Sequence, residues 1–228
     1  MNVSSELLPE PLPPEPMSTI AAWLTEAIGR RQQPNPNAMV LATTAQDGRP
    51  SARVVLCKEV VTEPGYLVFY TNYQSRKGQE LAANPRAAAV IHWDHLHRQI
   101  RVEGVVVPAP AEQSDAYFAS RPWQSRIGAW ASAQSQPIES RAGLLSAVAQ
   151  AARRFGVPNP GDPTAADRGV AIPRPPHWGG YRLWADAVEL WVEGEARVHD
   201  RVRWTRSLTH RGAGQIDSGP WSVTRLQP

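Results

Sequence analysis

The chain of 228 residues carries a single cysteine, Cys57, so no disulfide can close within it. A lone thiol suits a reducing compartment, and a cytoplasmic location is expected. No stretch approaches the roughly 18 apolar residues of a membrane-spanning helix. The N-terminus has neither the basic nor the apolar segment of a secretion signal, so no membrane partner is expected. Charge of one sign is equally scarce: 24 Lys and Arg stand against 21 Asp and Glu, a net +3. The cations come mostly singly or in pairs, which suits small phosphorylated ligands better than a nucleic-acid backbone. No internal repeat is present.

With 42% apolar residues and nine Trp, the chain can bury a substantial core and is read as one domain. Residues 1–16 set Glu10 and Glu15 among Pro9, Pro11, Pro13, Pro14 and Pro16. Such a segment can neither continue a helix nor join a sheet interior, so a mobile tail is expected before a domain spanning 17–228.

Ile20, Ala21, Leu24, Ala27 and Ile28 recur at helical spacing in a segment that ends by Pro34. Ala38 to Thr44 and Ser51 to Lys58 read as a hairpin turned at Gln46-Asp47-Gly48, and Ala87 to Trp93 with Gln99 to Val107 as a second pair. Helices are expected over 111–119 and 138–155, the latter amphipathic through Leu144, Leu145, Val148 and Phe155. Residues 121–136 between them, rich in small and polar types, are expected to be ordered only by packing. Six prolines make 156–177 a long extended connection. Strands return at Gly180 to Trp184, Ala187 to Trp191, Val198 to Trp204 and Trp221 to Leu226. The fold class is mainly β, an antiparallel barrel with peripheral helices.

The stretch from Arg53 to Lys77 carries the chemistry. Two apolar strands, Arg53 to Lys58 and Leu67 to Asn72, have cations near their ends, and the second runs into a helix from Ser75 to Ala83. Arg76 and Lys77 fall in the first turn, where the helix dipole disfavours each cation by roughly 0.3 to 1 kcal/mol. A bound anion removes that penalty, so unpaired N–H groups, the Ser75 hydroxyl and two cations describe a candidate phosphate site. On residues alone, surface charges account for Arg53, Lys58, Arg76 and Lys77 as readily. His92, His95, His97 and Asp94 fit no standard ligand spacing, and no metal is expected. Cys57 has no activating neighbour in sequence and reads as a buried, inert thiol.

Several motifs in one order resemble the pyridoxine (pyridoxamine) 5'-phosphate oxidase family: Arg53-Val-Val-Leu-Cys-Lys58, Phe69-Tyr-Thr-Asn72, Ser75-Arg-Lys77, Arg98-Gln99, Tyr117-Phe-Ala-Ser-Arg-Pro122, Ser125-Arg-Ile-Gly-Ala-Trp130, Gln134-Ser135, Trp178-Gly-Gly180, Trp191, Arg197-Val-His-Asp-Arg201 and Arg225-Leu-Gln-Pro228. The resemblance implies an FMN-binding split β-barrel with the flavin at a homodimer interface. It implies that Arg53, Lys58, Tyr70, Thr71, Arg76, Lys77, Gln99, Gln134, Ser135, Trp191 and Arg201 surround FMN, with Arg76, Lys77 and Ser135 on its phosphate. Lys58, Tyr117, Arg121 and Ser125 would take the phosphate of a small pyridine substrate. Arg197 and His199, the implied catalytic pair, would lie against the ring. The implied reaction oxidises pyridoxamine or pyridoxine 5'-phosphate with molecular oxygen to pyridoxal 5'-phosphate and hydrogen peroxide. The alternatives are a related oxidase of phenazine type acting on another ring, and a split-barrel protein that binds flavin without turnover. Lys58 and Arg121 favour the phosphorylated substrate.

Overall fold

A computed structural model of the protein describes residues 7–162, 169–212 and 214–228. Helix α1 (Met17–Arg30) leads into the hairpin β1 (Ala38–Thr44) and β2 (Pro50–Leu56), followed by β3 (Glu59–Val61), β4 (Tyr66–Asn72) and α2 (Arg76–Ala83). Next come β5 (Arg86–Trp93) and β6 (Arg98–Pro108), then α3 (Ala111–Ser120), α4 (Trp123–Ala131) and α5 (Arg141–Arg154). The chain closes with β7 (Trp178–Val192), β8 (Asp200–Thr205), the hairpin β9 (Leu208–Gly212) and β10 (Gln215–Ser218), and β11 (Ser222–Leu226). The expected mainly β architecture with helices at its periphery is what forms.

Among the described residues, nine strands make one antiparallel sheet in the order β11-β8-β7-β6-β5-β1-β2, with β4 joining both β3 and β7. Period-two alternation sets its faces: β1 buries Met39, Leu41 and Thr43 while Val40 points outward. The core gathers Leu67, Phe69, Ile100, Leu183, Leu190, Val202 and Trp204, each buried apolar side chain contributing about 1.5–3 kcal/mol. Strand β7 organises the rest. One edge pairs with β6 along nearly its whole length, while the other takes β4 at residues 178–184 and β8 at 187–192.

Five expectations are corrected by these packing relations. Residues 184–191 do not break into two strands. Asp186 is a bulge, since Glu103 faces Ala187 and Gly104 faces Ala185, and β7 runs through. Gly104 suits the bulge because a Cβ there would lie 1.8 Å from the Trp184 carbonyl oxygen. Residues 123–131 are helical, since Trp123 and Ile127, four apart, bury one face against Phe118 and Trp178. Of the expected apolar face of α5, Leu144 and Leu145 are exposed, while Val148 and Phe155 pack on the cluster that buries Ala152.

The proline-rich N-terminal segment is not free where it is described. Leu8 is buried, its N–H donates to Asp200 Oδ2 at 2.9 Å, and Trp204 Nε1 donates to the Pro13 carbonyl at 3.0 Å. Prolines cannot join the sheet, but their carbonyls still accept. Residues 1–6 of the expected tail lie outside the described residues, as does Pro163 of the 156–177 connection. The last part of that connection is packed: Ile172 is buried, and Arg174 reaches Asp115 at 2.6 Å and the Trp178 carbonyl at 2.7 Å.

Candidate active site

Ser75 begins α2 as its sequence position demands, its Oγ accepting from the Gly78 N–H at 3.4 Å. The same hydroxyl holds Lys77, which is buried. Lys77 Nζ donates to Ser75 Oγ at 3.1 Å, Thr71 Oγ1 at 3.2 Å and Gln134 Oε1 at 2.8 Å. Burial and then the Arg53 charge pull its pKa down to about 8, with Glu80 opposing them. Arg53 reaches in from β2 to the Leu41 carbonyl, Thr43, Ser51 and Glu80. Its neighbour in the first helical turn behaves differently. Arg76 Nε bonds Glu80 Oε1 at 2.8 Å, an i,i+4 pair that relieves its dipole penalty, and Arg76 does not line the cleft that Arg53 and Lys77 share.

That cleft holds about 660 Å³ between β2, β4, α2 and the segments around α3 and α4. One wall is aromatic. Tyr70 and Tyr117 stack at 3.8 Å and 16°, and Trp178 continues the stack at 5.6 Å from Tyr70. Gly180 makes room for it, because a Cβ there would sit 2.8 Å from Tyr70 Cε1. Two further cations gather on these rings: Lys58 Nζ lies 5.7 Å from the Tyr117 centroid and the Arg121 guanidinium 4.7 Å from that of Trp178. Arg121 Nη1 is buried without a hydrogen-bond partner, and burial lowers the side chain's pKa. A smaller hollow of about 330 Å³ shares Arg121, Gln134 and Trp178 with the cleft and adds Ser125. Ser135 borders the cleft with φ 71°, a left-handed backbone that a serine adopts at a cost of about 1–2 kcal/mol.

The other residues implied by resemblance form a second group at the far end of β7. Gln99 faces Trp191 across β6 and β7, and Trp191 faces Arg201 across β7 and β8. Arg201 Nη2 is bound to Glu189 Oε1 at 2.8 Å. The Trp191 and His199 rings lie 4.6 Å apart, and His199 Nδ1 accepts from the Gly194 N–H at 3.3 Å, leaving Nε2 to carry the proton of the neutral ring. Arg197, at φ 64°, ends the short turn Glu195–Arg197 that precedes β8, so β8 starts at Asp200 rather than Val198. Twelve residues separate Gly179 from Trp191, a span of up to roughly 40 Å along an extended strand.

Three site residues were not among those expected. Glu80 holds only an ordinary helix position in the sequence, while Asn72 and Trp178 stand in the quoted Phe69–Asn72 and Trp178–Gly180 motifs without an assigned role. The i,i+4 spacing of Arg76 and Glu80 was the available signal for the first. Cys57 is buried with its thiol pushed up to about 12 by desolvation, in keeping with an inert role.

The donor set fits a flavin mononucleotide. A cleft of this volume holds an apolar aromatic wall, a buried ammonium for one phosphate and an unpaired guanidinium nitrogen for a second anion. Leaving such a nitrogen unpaired costs about 1–3 kcal/mol, which an anion would recover.

A family model described as pyridoxamine 5'-phosphate oxidase matches residues 25–154, and one described as the pyridoxine 5'-phosphate oxidase C-terminal dimerisation region matches residues 178–228. A protein of Paraburkholderia phymatum named pyridoxine/pyridoxamine 5'-phosphate oxidase is 50% identical over 215 residues, covering 94% of this chain and 90% of its own. One of the same name from Chromobacterium violaceum is 48% identical over 223 residues, covering 98% and 93%. Among solved structures, PhzG from Burkholderia lata 383, in complex with tetrahydrophenazine-1-carboxylic acid, superposes with a TM-score of 0.79 at 30% identity over 96% of this chain and 95% of that one. A pyridoxamine 5'-phosphate oxidase-related, FMN-binding protein of Nostoc punctiforme PCC 73102 shares the fold with a TM-score of 0.64 at 18% identity, over 92% and 96%. The sheet is therefore the split β-barrel expected, and the chain belongs to the pyridoxamine 5'-phosphate oxidase family.

Proposed function

We propose that the protein is an FMN-dependent oxidase of pyridoxamine 5'-phosphate or pyridoxine 5'-phosphate. It uses molecular oxygen and releases pyridoxal 5'-phosphate and hydrogen peroxide, with ammonia when the amine is consumed. The observation that carries this reading is one cleft with two separate sets of cations: Arg53 with Lys77, and Lys58 with Arg121, whose Nη1 is buried and unpaired. Two anion sites suit a cofactor phosphate and a substrate phosphate. When bound, FMN supplies a hydride acceptor for the carbon bearing the amine or alcohol and a route for the electrons to oxygen.

The chain's own work is binding and orientation. Lys77, Arg53 and Ser135 hold the cofactor phosphate, with Thr71 and Gln134 fixing the ammonium. Lys58, Arg121, Tyr117 and Ser125 hold the substrate phosphate, so binding energy far from the reacting carbon positions it. The Tyr70–Tyr117–Trp178 stack excludes water from that end.

The second group, Gln99, Trp191, Arg197, His199 and Arg201, completes the site from a partner subunit in a homodimer. The length of β7 between the two groups supports this, as does the outer sheet face that runs from the cleft toward the second one. There Val54 (64% exposed) and Val40 (42% exposed) pair across β1 and β2 in a row that continues through Val90. An uncovered apolar row of this kind suits association of two copies. No described helix is long and apolar enough to cross a membrane, and the single thiol suits a cytoplasmic location.

Anaerobic mixing with pyridoxamine 5'-phosphate tests the reaction. Flavin absorbance should bleach and return on admitting air; a yellow protein that stays oxidised overturns it. The structural likeness to PhzG favours a second reading, an oxidase of an unphosphorylated ring. Bleaching by such a ring, together with indifference to Arg121→Ala, would select that reading instead.

A further inference from the structure

Glu80 is a buried carboxylate, 5% exposed, beside a cluster of cations assigned to bind an anion. A negative charge there repels a phosphate, so its presence needs a reason. The side chain is saturated with donors from three elements. Oε2 accepts from Thr43 Oγ1 of β1 at 2.5 Å, and from Ser51 Oγ and Arg53 Nη2 of β2 at 2.7 Å and 3.1 Å. Oε1 accepts from Arg76 Nε of its own helix at 2.8 Å. These bonds hold its pKa at about 2 although burial pushes the other way. A protonated or mobile carboxylate could not hold two guanidiniums in this way; an ionised, four-fold bonded one can.

Two cations, Arg53 and Arg76, are ion-paired to this one carboxylate, and Lys77 feels its charge. With Arg76 balancing Glu80 outside the cleft, the Arg53 and Lys77 charges are left facing it, the complement of a phosphate monoester dianion. Without Glu80, the Arg53 guanidinium would lose the ion pair that holds it beside Thr43 and Ser51.

We propose that Glu80 is the positioning residue of the cofactor-phosphate cradle: by fixing Arg53, with its own charge balanced by Arg76, it makes the cleft select a flavin bearing a phosphate over riboflavin. This rests on the reading that the cofactor phosphate binds at Arg53 and Lys77. Glu80 itself stays off the ligand and acts through Arg53. The charged groups facing Lys77 are Arg53 from β2 and Glu80 from α2, while Thr71 of β4, Ser75 and Gln134 face it as neutral partners.

The test titrates deflavinated wild type, Glu80→Gln and Glu80→Asp with FMN and with riboflavin from about pH 6 to about pH 9, following flavin fluorescence. Wild type should prefer FMN. Glu80→Gln should lose about tenfold or more of that preference, the scale of one charge-assisted hydrogen bond, with riboflavin affinity unchanged. The alkaline fall in FMN affinity should move to lower pH, because Lys77 loses the one neighbour that raises its pKa. Glu80→Asp keeps the charge but not the reach and should recover part of the preference; it also serves if the Gln variant does not fold. An unchanged FMN-to-riboflavin ratio in both variants, or equal weakening of both flavins, overturns the proposal. If wild type itself binds the two flavins equally, the cradle reading falls and this inference with it.

Discussion

The Arg121 guanidinium lies 4.7 Å from the centre of the Trp178 indole, with Nη1 buried and unpaired at the edge of the cleft. Aromatic stacking orients the fork, and under the proposed function an anionic ligand would supply the missing partner. Truncation should therefore cost substrate rather than cofactor. For Arg121→Ala we expect the KM for pyridoxamine 5'-phosphate to rise by about 10- to 100-fold, the equivalent of about 1.5–3 kcal/mol, with FMN still bound. Steady-state kinetics with flavin absorbance settle the point: lost flavin with an unchanged KM would contradict the assignment.

Lys77 predicts two opposed pH dependences. Its folded pKa, about 8, lies below the ordinary value of 10.5, so between these pH values the unfolded chain binds the extra proton. Stability of the deflavinated protein should then rise with pH across that window. FMN affinity should fall over the same range, because a phosphate prefers the ammonium. Melting temperatures with and without FMN should converge as pH rises through about 8 and beyond. A gap that widens instead would remove Lys77 from the phosphate.

A shared site predicts complementation. In a two-fold homodimer, Lys77→Ala damages one group and Arg201→Ala the other, so a mixed dimer carries one doubly altered site and one intact site. Random mixing should restore about a quarter of wild-type activity from two weakly active variants. Recovery no greater than the average of the two parents would mean that each chain builds its site alone.

His199 stands against Trp191 with Nδ1 engaged and Nε2 left to carry the proton. His199→Ala should lower kcat by about 10²-fold or more, the scale of one positioned proton donor or acceptor, while FMN affinity changes little. Rapid-reaction measurement of flavin reduction checks this directly. Wild-type turnover would return the ring to a structural role.

Much of one half of the site was legible in residue order. Ser75 as cap, the first-turn cations and the Gln46-Asp47-Gly48 turn are local features, decided by capping and turn chemistry within a few residues. The helix at 123–131 was not legible, since only Trp123 and Ile127 are buried and nothing in the local spacing names the Phe118 and Trp178 surface they seat on.

By itself the sequence determined the mainly β pattern, the helix entrance bearing Lys77, the lone buried thiol and the ordered motifs that place the chain in its family. Each depends on period, cap or motif, which short-range physics sets. Tertiary structure alone decided that Glu80 is buried against Thr43, Ser51 and Arg53, and that the implied site residues fall into two groups at opposite ends of β7. It also decided that the N-terminal segment docks through Leu8 on Asp200 and Pro13 on Trp204, about 190 residues away. Those outcomes depend on burial and on hydrogen bonds between distant segments, and no local pattern encodes a partner so far along the chain.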